Sequence, residues 1–487
     1  MNKNEFSELF EGISNKEFLR FGSYLNSPFF NVPKRIVKLF ELLQMNNVKQ
    51  NRESITREII SENFYPGKSY SKTQVNVRKL ISEFKQHFNN FLAEREFEDK
   101  KFEQSLYLLQ HLRKLNKTNE YRKILDETKE LISKTETKDE EYYLRNLELY
   151  AEQYLFEGYH YKDFNVDLSF QISEYLDLYF IAYKLFLFQR LQARELVLKT
   201  IDHHEPKFYD AVCKEVEDNY DYYKNHPEIF CRYLMLKMNR NIGDQKLYDE
   251  YLRYVIYADE QLKVNCYIYY QDLLDYCERM VNDGKAEFEE RILEFAELMK
   301  SKNMFRKYGI PYNDLKIIIE SSIGTGKYDW GEEFVKKNIE YVDELYRENI
   351  YNLGLAKIYF FKKEYSNSRD HLIKVSYEDY LHYVDAKLIE ARIEYEERCF
   401  VEISSIIEAV KKYLKSHTEI GDIYKQSYLA FDNFLNRLIK ICESSVMQKP
   451  HDFEIKKLKE DIVSYPALLY GAGWLLEKLD EIEKGRL

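Results

Sequence analysis

Gly324-Thr325-Gly326-Lys327 is the stretch of this 487-residue chain that most invites chemistry. A glycine-rich loop ending in lysine can wrap N–H groups and an ammonium around phosphates. That motif needs a glycine five residues before the Gly-Lys pair and Ser or Thr after it. Here those positions hold Ser321 and Tyr328, and no strand pattern precedes them. The expected role is a helix C-cap. Gly471-Ala472-Gly473-Trp474 carries a G-x-G inside a helical pattern. Without a strand–turn–helix context it reads as close helix packing rather than a dinucleotide site.

His203-His204-Glu205 precedes Pro206 at a predicted helix end, where histidines complement the dipole. Adjacent histidines point apart on a helix, so a metal would need ligands from elsewhere. The acidic pairs Glu289-Glu290 and Glu396-Glu397 read as solvated faces. Cys213, Cys231, Cys266, Cys277, Cys399 and Cys442 form no CxxC and no Cys–His pair at ligand spacing. They read as reduced thiols of a cytoplasmic protein. No catalytic set emerges, so no enzyme activity, cofactor or metal is expected.

The elements that would position any site are helical. Val77, Leu80, Ile81, Phe84, Phe88, Phe91 and Leu92 fall on one face of a 3.6-residue helix. No segment alternates convincingly as a strand would. Glycine (15) and proline (8) are scarce while tyrosine (44) and phenylalanine (31) abound, which argues against a turn-rich sandwich or barrel. From Pro66 to Pro206 there is no proline, and helices are predicted over 103–116, 118–135, 139–158 and 168–203. Pro206, Pro227, Pro311, Pro450 and Pro466 fall between later helices.

Near the start, Phe18, Leu19, Phe21 and Leu25 lie on one helix and Ile36, Leu39, Phe40 and Leu43 on the next. Between them Asn26 is expected to end the first in the left-handed conformation. Asn31 is expected to cap the second, with Pro33 in its first turn. Phe29 and Phe30 are expected to plug the open end of the pair. The tyrosine clusters Tyr142-Tyr143, Tyr220-Asp221-Tyr222-Tyr223 and Tyr267-Ile268-Tyr269-Tyr270 read mainly as core, with some lining a groove.

The net charge is −11, with residues 1–93 at +5 and the remainder at −16. The N-terminus shows no apolar run of a secretory signal. No stretch approaches the apolar length of a membrane span.

In the C-terminal half, Ala356 and Tyr365 are nine residues apart, as are Ala391 and Phe400, with a period of 35. Tyr328, Gly331 and Val335 fit the same second-helix pattern upstream. Over roughly 310–415 this resembles the tetratricopeptide repeat, with Ile403 standing where a small residue is usual. The resemblance implies antiparallel helix pairs stacked into a solenoid, and protein–protein binding. The overall pattern is also similar to uncharacterised bacterial helical proteins. Ser54 through Phe64, the Tyr65-Pro66-Gly67 connector and Ser71 through Phe88 resemble the second and third helices of winged-helix domains in repeat-containing bacterial regulators. That resemblance implies a DNA face of Lys72, Asn76, Arg78 and Lys79, with Arg57 near the backbone. The charged helical run after Leu92 departs from it, leaving no wing.

The chain is therefore expected to be all-α. A small helical domain over 1–97, helix-turn-helix-like in the second reading, leads into an α-solenoid of tetratricopeptide-like helix pairs over 98–487. The expected function is a non-catalytic cytoplasmic scaffold or adaptor that binds a protein or peptide in the repeat groove. The alternative is a transcriptional regulator that binds nucleic acid through the N-terminal domain and senses a partner through the repeats. No membrane association is expected.

Overall fold

A computed structural model describes residues 5–45, 55–161, 166–198, 206–262, 265–376, 380–417, 422–446, 452–465 and 469–484. The described residues are helical and form no strand; Ile310 and Val342 share one isolated parallel bridge. The chain divides into two compact units, residues 1–135 with 140–180, and residues 136–139 with 181–487.

The first unit opens on a short first helix, Glu5–Leu9, and continues in Asn15–Leu25, which starts with a reciprocal capping box. The Glu17 N–H donates to Ser14 Oγ (3.2 Å), and the Ser14 N–H donates to Glu17 Oε2 (2.9 Å). Phenylalanine rings from this helix, from Lys34–Met45 and from Tyr70–Asp99 interlock edge to face. Phe21 meets Phe88 at 5.0 Å and Phe40 at 5.6 Å. Gly22 leaves room for the Phe40 ring, which a Cβ there would strike. Six of the seven apolar positions read on Tyr70–Asp99 are buried; Leu92, at the edge of the stripe, is exposed.

The connector between Asn15–Leu25 and Lys34–Met45 differs from expectation. Phe30 packs on Tyr24 at 4.2 Å, but Phe29 is 85 % exposed. Successive residues of a tight turn face opposite ways, so only one ring can plug the pair. Asn26 stays right-handed and satisfies the helix end through its side chain, which donates to the Gly22 carbonyl (2.9 Å). Asn31 takes the left-handed conformation (φ 47°) instead of capping, and the next helix starts after Pro33.

Farther on, Lys101–Lys114 and Thr118–Ser133 pair through a turn with Asn116 at φ 54°. Glu140–Tyr161 covers them, stacking Phe156 on Tyr121 at 3.7 Å.

The second unit repeats one hairpin device. Cys266–Asn282 pairs with Glu287–Ser301, Tyr312–Gly324 with Tyr328–Asn338, Glu344–Phe361 with Tyr365–Leu372, and Tyr380–Glu396 with Phe400–Ser416. Each first helix ends in a left-handed residue: Gly284, Gly326, Lys363 or Arg398 (φ 62–87°). The following N–H donates to the carbonyl five residues back, as in Lys327 to Ser322 (2.8 Å), Glu364 to Tyr359 (2.9 Å) and Cys399 to Glu394 (2.8 Å). Hairpins run antiparallel. The Ser368 hydroxyl donates to the Ala356 carbonyl (2.7 Å), His371 Nδ1 meets Asn352 Oδ1 (2.9 Å), and the Ser376 N–H donates to Asn349 (2.8 Å). Gly354 lies so close to Ile319 of the preceding pair that a Cβ would overlap it. Asp422–Val446, Asp452–Val463 and Ala472–Glu483 complete the core around Phe431, Leu435, Leu458 and Leu475.

One buried group is out of keeping with that core. Asp432 is fully buried and neither carboxylate oxygen receives a hydrogen bond. Burial pushes its carboxyl up to about 7, against a modest pull from Lys411. Between about pH 4 and 7 the folded state then binds the extra proton, so stability falls as pH rises through that window and levels off above it. The total is on the order of 4 kcal/mol. Asp432→Asn should raise stability by about 2 kcal/mol at pH 8. It should do almost nothing at pH 4, read from urea unfolding at both pH values.

Candidate functional site

The closing turns align one position of each hairpin. Glu278, Glu320, Lys357 and Arg392 each stand six residues before the left-handed residue that ends their helix. They therefore occupy equivalent places on successive first helices, and all four carry charge. Lys357 Nζ lies 3.0 Å from Glu320 Oε1 and 3.6 Å from Asp385 Oδ2. The Tyr428 hydroxyl donates to Asp385 (3.0 Å).

Polar side chains extend the row toward earlier helices. Gln271 Nε2 donates to Asp314 Oδ2 (3.1 Å), and Gln189 Nε2 to Asp272 Oδ2 (3.3 Å). Arg279 Nη2 donates to Asn239 Oδ1 (2.5 Å), whose amide donates to Gln192 Oε1 (3.1 Å). The row is thus mainly acidic at Asp272, Asp275, Glu278, Asp314 and Glu320, with Arg279 among them, and basic at Lys357 and Arg392.

Electrostatics follow from this crowding. Burial pushes Asp272 up to about 7, with Asp275 adding to it and Arg279 and Arg232 opposing. Burial pushes Asp314 up to about 6; the Gln271 hydrogen bond opposes, and Asp275 and Glu278 add to it. Burial works against the charge of Lys357, but Glu320 and Asp385 outweigh it and keep the ammonium protonated. Asp272 and Asp314 therefore carry less charge near pH 6 than near pH 8.

The row contains no nucleophile with a base beside it. All six thiols are raised, burial being the first cause, which keeps them in the protonated form. No group of three or more His, Cys, Asp or Glu among the described residues could hold a metal ion. No helix there is long and apolar enough to cross a membrane.

The residues singled out in the sequence fall elsewhere. Gly326 closes a helix as expected, and Lys327 pairs with Glu290. The Gly471-Ala472-Gly473-Trp474 stretch begins a helix rather than lying inside one, with Gly471 (φ 67°) at its N-cap. His203, His204 and Glu205 lie outside the described residues, as do Pro450 and Pro466. Glu396 is not a solvated acid: it accepts from Trp474 Nε1 (2.9 Å) and from Lys478 (2.9 Å). Tyr143, Tyr223, Tyr269 and Tyr270 are core, whereas Tyr222 is exposed.

Lys72, Asn76, Arg78 and Lys79 are all exposed on Tyr70–Asp99. Lys72, Asn76 and Lys79 share a face; Arg78 lies about 100° round the helix. Arg57 is not beside them in function: it is bonded to Glu5 (2.8 Å), which also holds Lys85 (2.7 Å). Only Lys100 separates Tyr70–Asp99 from Lys101–Lys114, so no strand pair follows the helix.

The charged row was missed in the sequence. Its signal is the six-residue offset from each closing turn, and Lys363 and Arg398 do not announce such turns. Comparison with protein-family models, with curated proteins and with solved structures finds no match to this chain.

Lys357→Met removes the only cation among the described residues that is bonded to Asp385 and should cost about 3 kcal/mol. In an Asp385→Asn background the same change should cost at least about 1 kcal/mol less. A urea-unfolding double-mutant cycle without such coupling would show that the pair contributes nothing.

Proposed function

We propose that this chain is a non-catalytic cytoplasmic scaffold. It binds a protein or peptide segment along the charged row of a tetratricopeptide-like α-solenoid. The observation that carries this reading is the alignment of Glu278, Glu320, Lys357 and Arg392 at one register of successive hairpins. A row of this kind meets an extended or helical segment at a regular spacing. Basic side chains on the bound segment then pair in order with Asp275, Glu278 and Glu320, the accessible carboxylates of the acidic half. Charge order of this sort selects the partner and its direction more than it sets raw affinity. Glu320, whose side chain is 45 % exposed, and the exposed Asp275 are open to such a segment.

The test is partner retention from nuclease-treated native extract by the full chain and by Asp275→Lys/Glu278→Lys. The variant should lose the retained protein. Because Asp272 and Asp314 gain charge between about pH 6 and 7, retention of a basic segment should strengthen from pH 5.5 to pH 8. A partner held equally by both proteins would sink the row as the binding surface.

The exposed Lys72, Asn76 and Lys79 face supports a second reading, DNA binding through phosphate contacts in the N-terminal domain. On that reading Arg78→Glu/Lys79→Glu abolishes a steeply salt-dependent retention of duplex DNA. Gel-shift titrations at two salt concentrations would reveal it, and equal binding by the variant would discard that face.

A further inference from the structure

Arg392 sits at the basic end of the row and is 6 % exposed, yet it forms no hydrogen bond and no ion pair with any described residue. Its guanidinium is held by aromatic faces alone: Tyr470 at 4.7 Å, Phe431 at 5.2 Å and Trp474 at 5.6 Å. Two carboxylates of the same helix are already engaged, Glu396 by Trp474 and Lys478, and Asp385 by Lys357 and Tyr428.

What the guanidinium faces is the start of Ala472–Glu483. Arg392 Nη2 lies so close to Gly471 that a Cβ on that N-cap residue would collide with it. No side chain caps this helix, and the N–H groups of Gly473 and Trp474 have no acceptor. Gly473 is exposed, and the space where its Cβ would stand is open. A helix N-terminus carries about half a positive charge. Here it meets a second, buried positive charge that has no counter-ion. Two like poles brought together in this way are stabilised by an anion bound to both.

We propose that the first turn of Ala472–Glu483 and Arg392 together form an oxyanion site. The site takes a phosphate, two of whose oxygens accept from the guanidinium fork while a third accepts from the Gly473 and Trp474 N–H groups, or a carboxylate, one oxygen of which accepts from the guanidinium and the other from those N–H groups. The inference rests on these residues and stands whether or not the row holds a peptide.

Trp474 reports on the site directly. The chain has two tryptophans, so Trp330→Phe leaves Trp474 as the only indole. Full-length Trp330→Phe protein is titrated with inorganic phosphate and, separately, with acetate, each against sodium chloride at matched ionic strength. A saturable change in Trp474 fluorescence with phosphate alone assigns a phosphate-bearing ligand. Saturation with acetate alone assigns a carboxylate, and saturation with both assigns a general oxyanion seat. Adding Arg392→Gln should weaken the midpoint about tenfold or more. Gly473→Pro keeps Arg392 but deletes one N–H at a first-turn position where proline is tolerated, and should weaken it several-fold. It decides the matter should Arg392→Gln fail to fold. No saturation with either anion in folded protein overturns the site, as does a midpoint unmoved in both variants.

Discussion

The turn that closes each first helix is the constraint on which the second unit depends. A left-handed residue and a hydrogen bond reaching five residues back fix where one helix stops and the next begins. Once that is set, Ser368 must meet Ala356 and His371 must meet Asn352. Glycine takes this backbone freely at positions 284 and 326. Lys363 and Arg398 take it at a cost of roughly 1 kcal/mol each. Packing offsets that cost: Tyr365 and Phe400 start the second helices and lie against the core, at 6.0 Å from Phe360 and 5.7 Å from Tyr395.

Register then becomes electrostatics. Four equivalent positions carry charge, and their neighbours decide whether that charge is matched. In the middle it is: Lys357 is shared by Glu320 and Asp385, and Tyr428 supplies a further donor to Asp385. At the two ends it is not. Carboxylates gather at Asp272, Asp275 and Asp314, and burial, with Asp275 adding to it, pushes Asp272 and Asp314 toward neutrality. Arg392 is left with aromatic rings and a helix start. Unmatched charge at the ends of a matched row is where an external ligand gains most, because no internal partner has to be displaced.

The first unit is organised by a different force. Its core is a cluster of phenylalanine rings, and its ionic links lie at the margin. Burial opposes the charge of Glu5, but Lys85 and Arg57 outweigh it and hold the carboxyl below its ordinary range. That link ties the first helix to Arg57–Phe64 and Tyr70–Asp99, and it takes Arg57 away from the exposed face of Lys72, Asn76 and Lys79.

The sequence by itself determined the helical class, the approximate spans of the long helices and most of the phenylalanine core. Those follow from periodicity, which is local: Val77, Leu80, Ile81, Phe84, Phe88 and Phe91 share a face whatever surrounds them. It also placed a helix end at Gly324 or Gly326, because glycine advertises its backbone, and Gly326 is the left-handed one. Only the tertiary structure decided that Phe30 packs and Phe29 does not, since facing depends on what stands opposite. Only it decided that Lys363 and Arg398 close helices as Gly326 does, because residue type there conflicts with conformation. The charged row and the site at Arg392 depend on those turns. Their residues lie on four or more separate helices, and no local pattern links Glu278 to Arg392 or Arg392 to Gly471. Contact between distant helices is a property of packing, and packing brought them together.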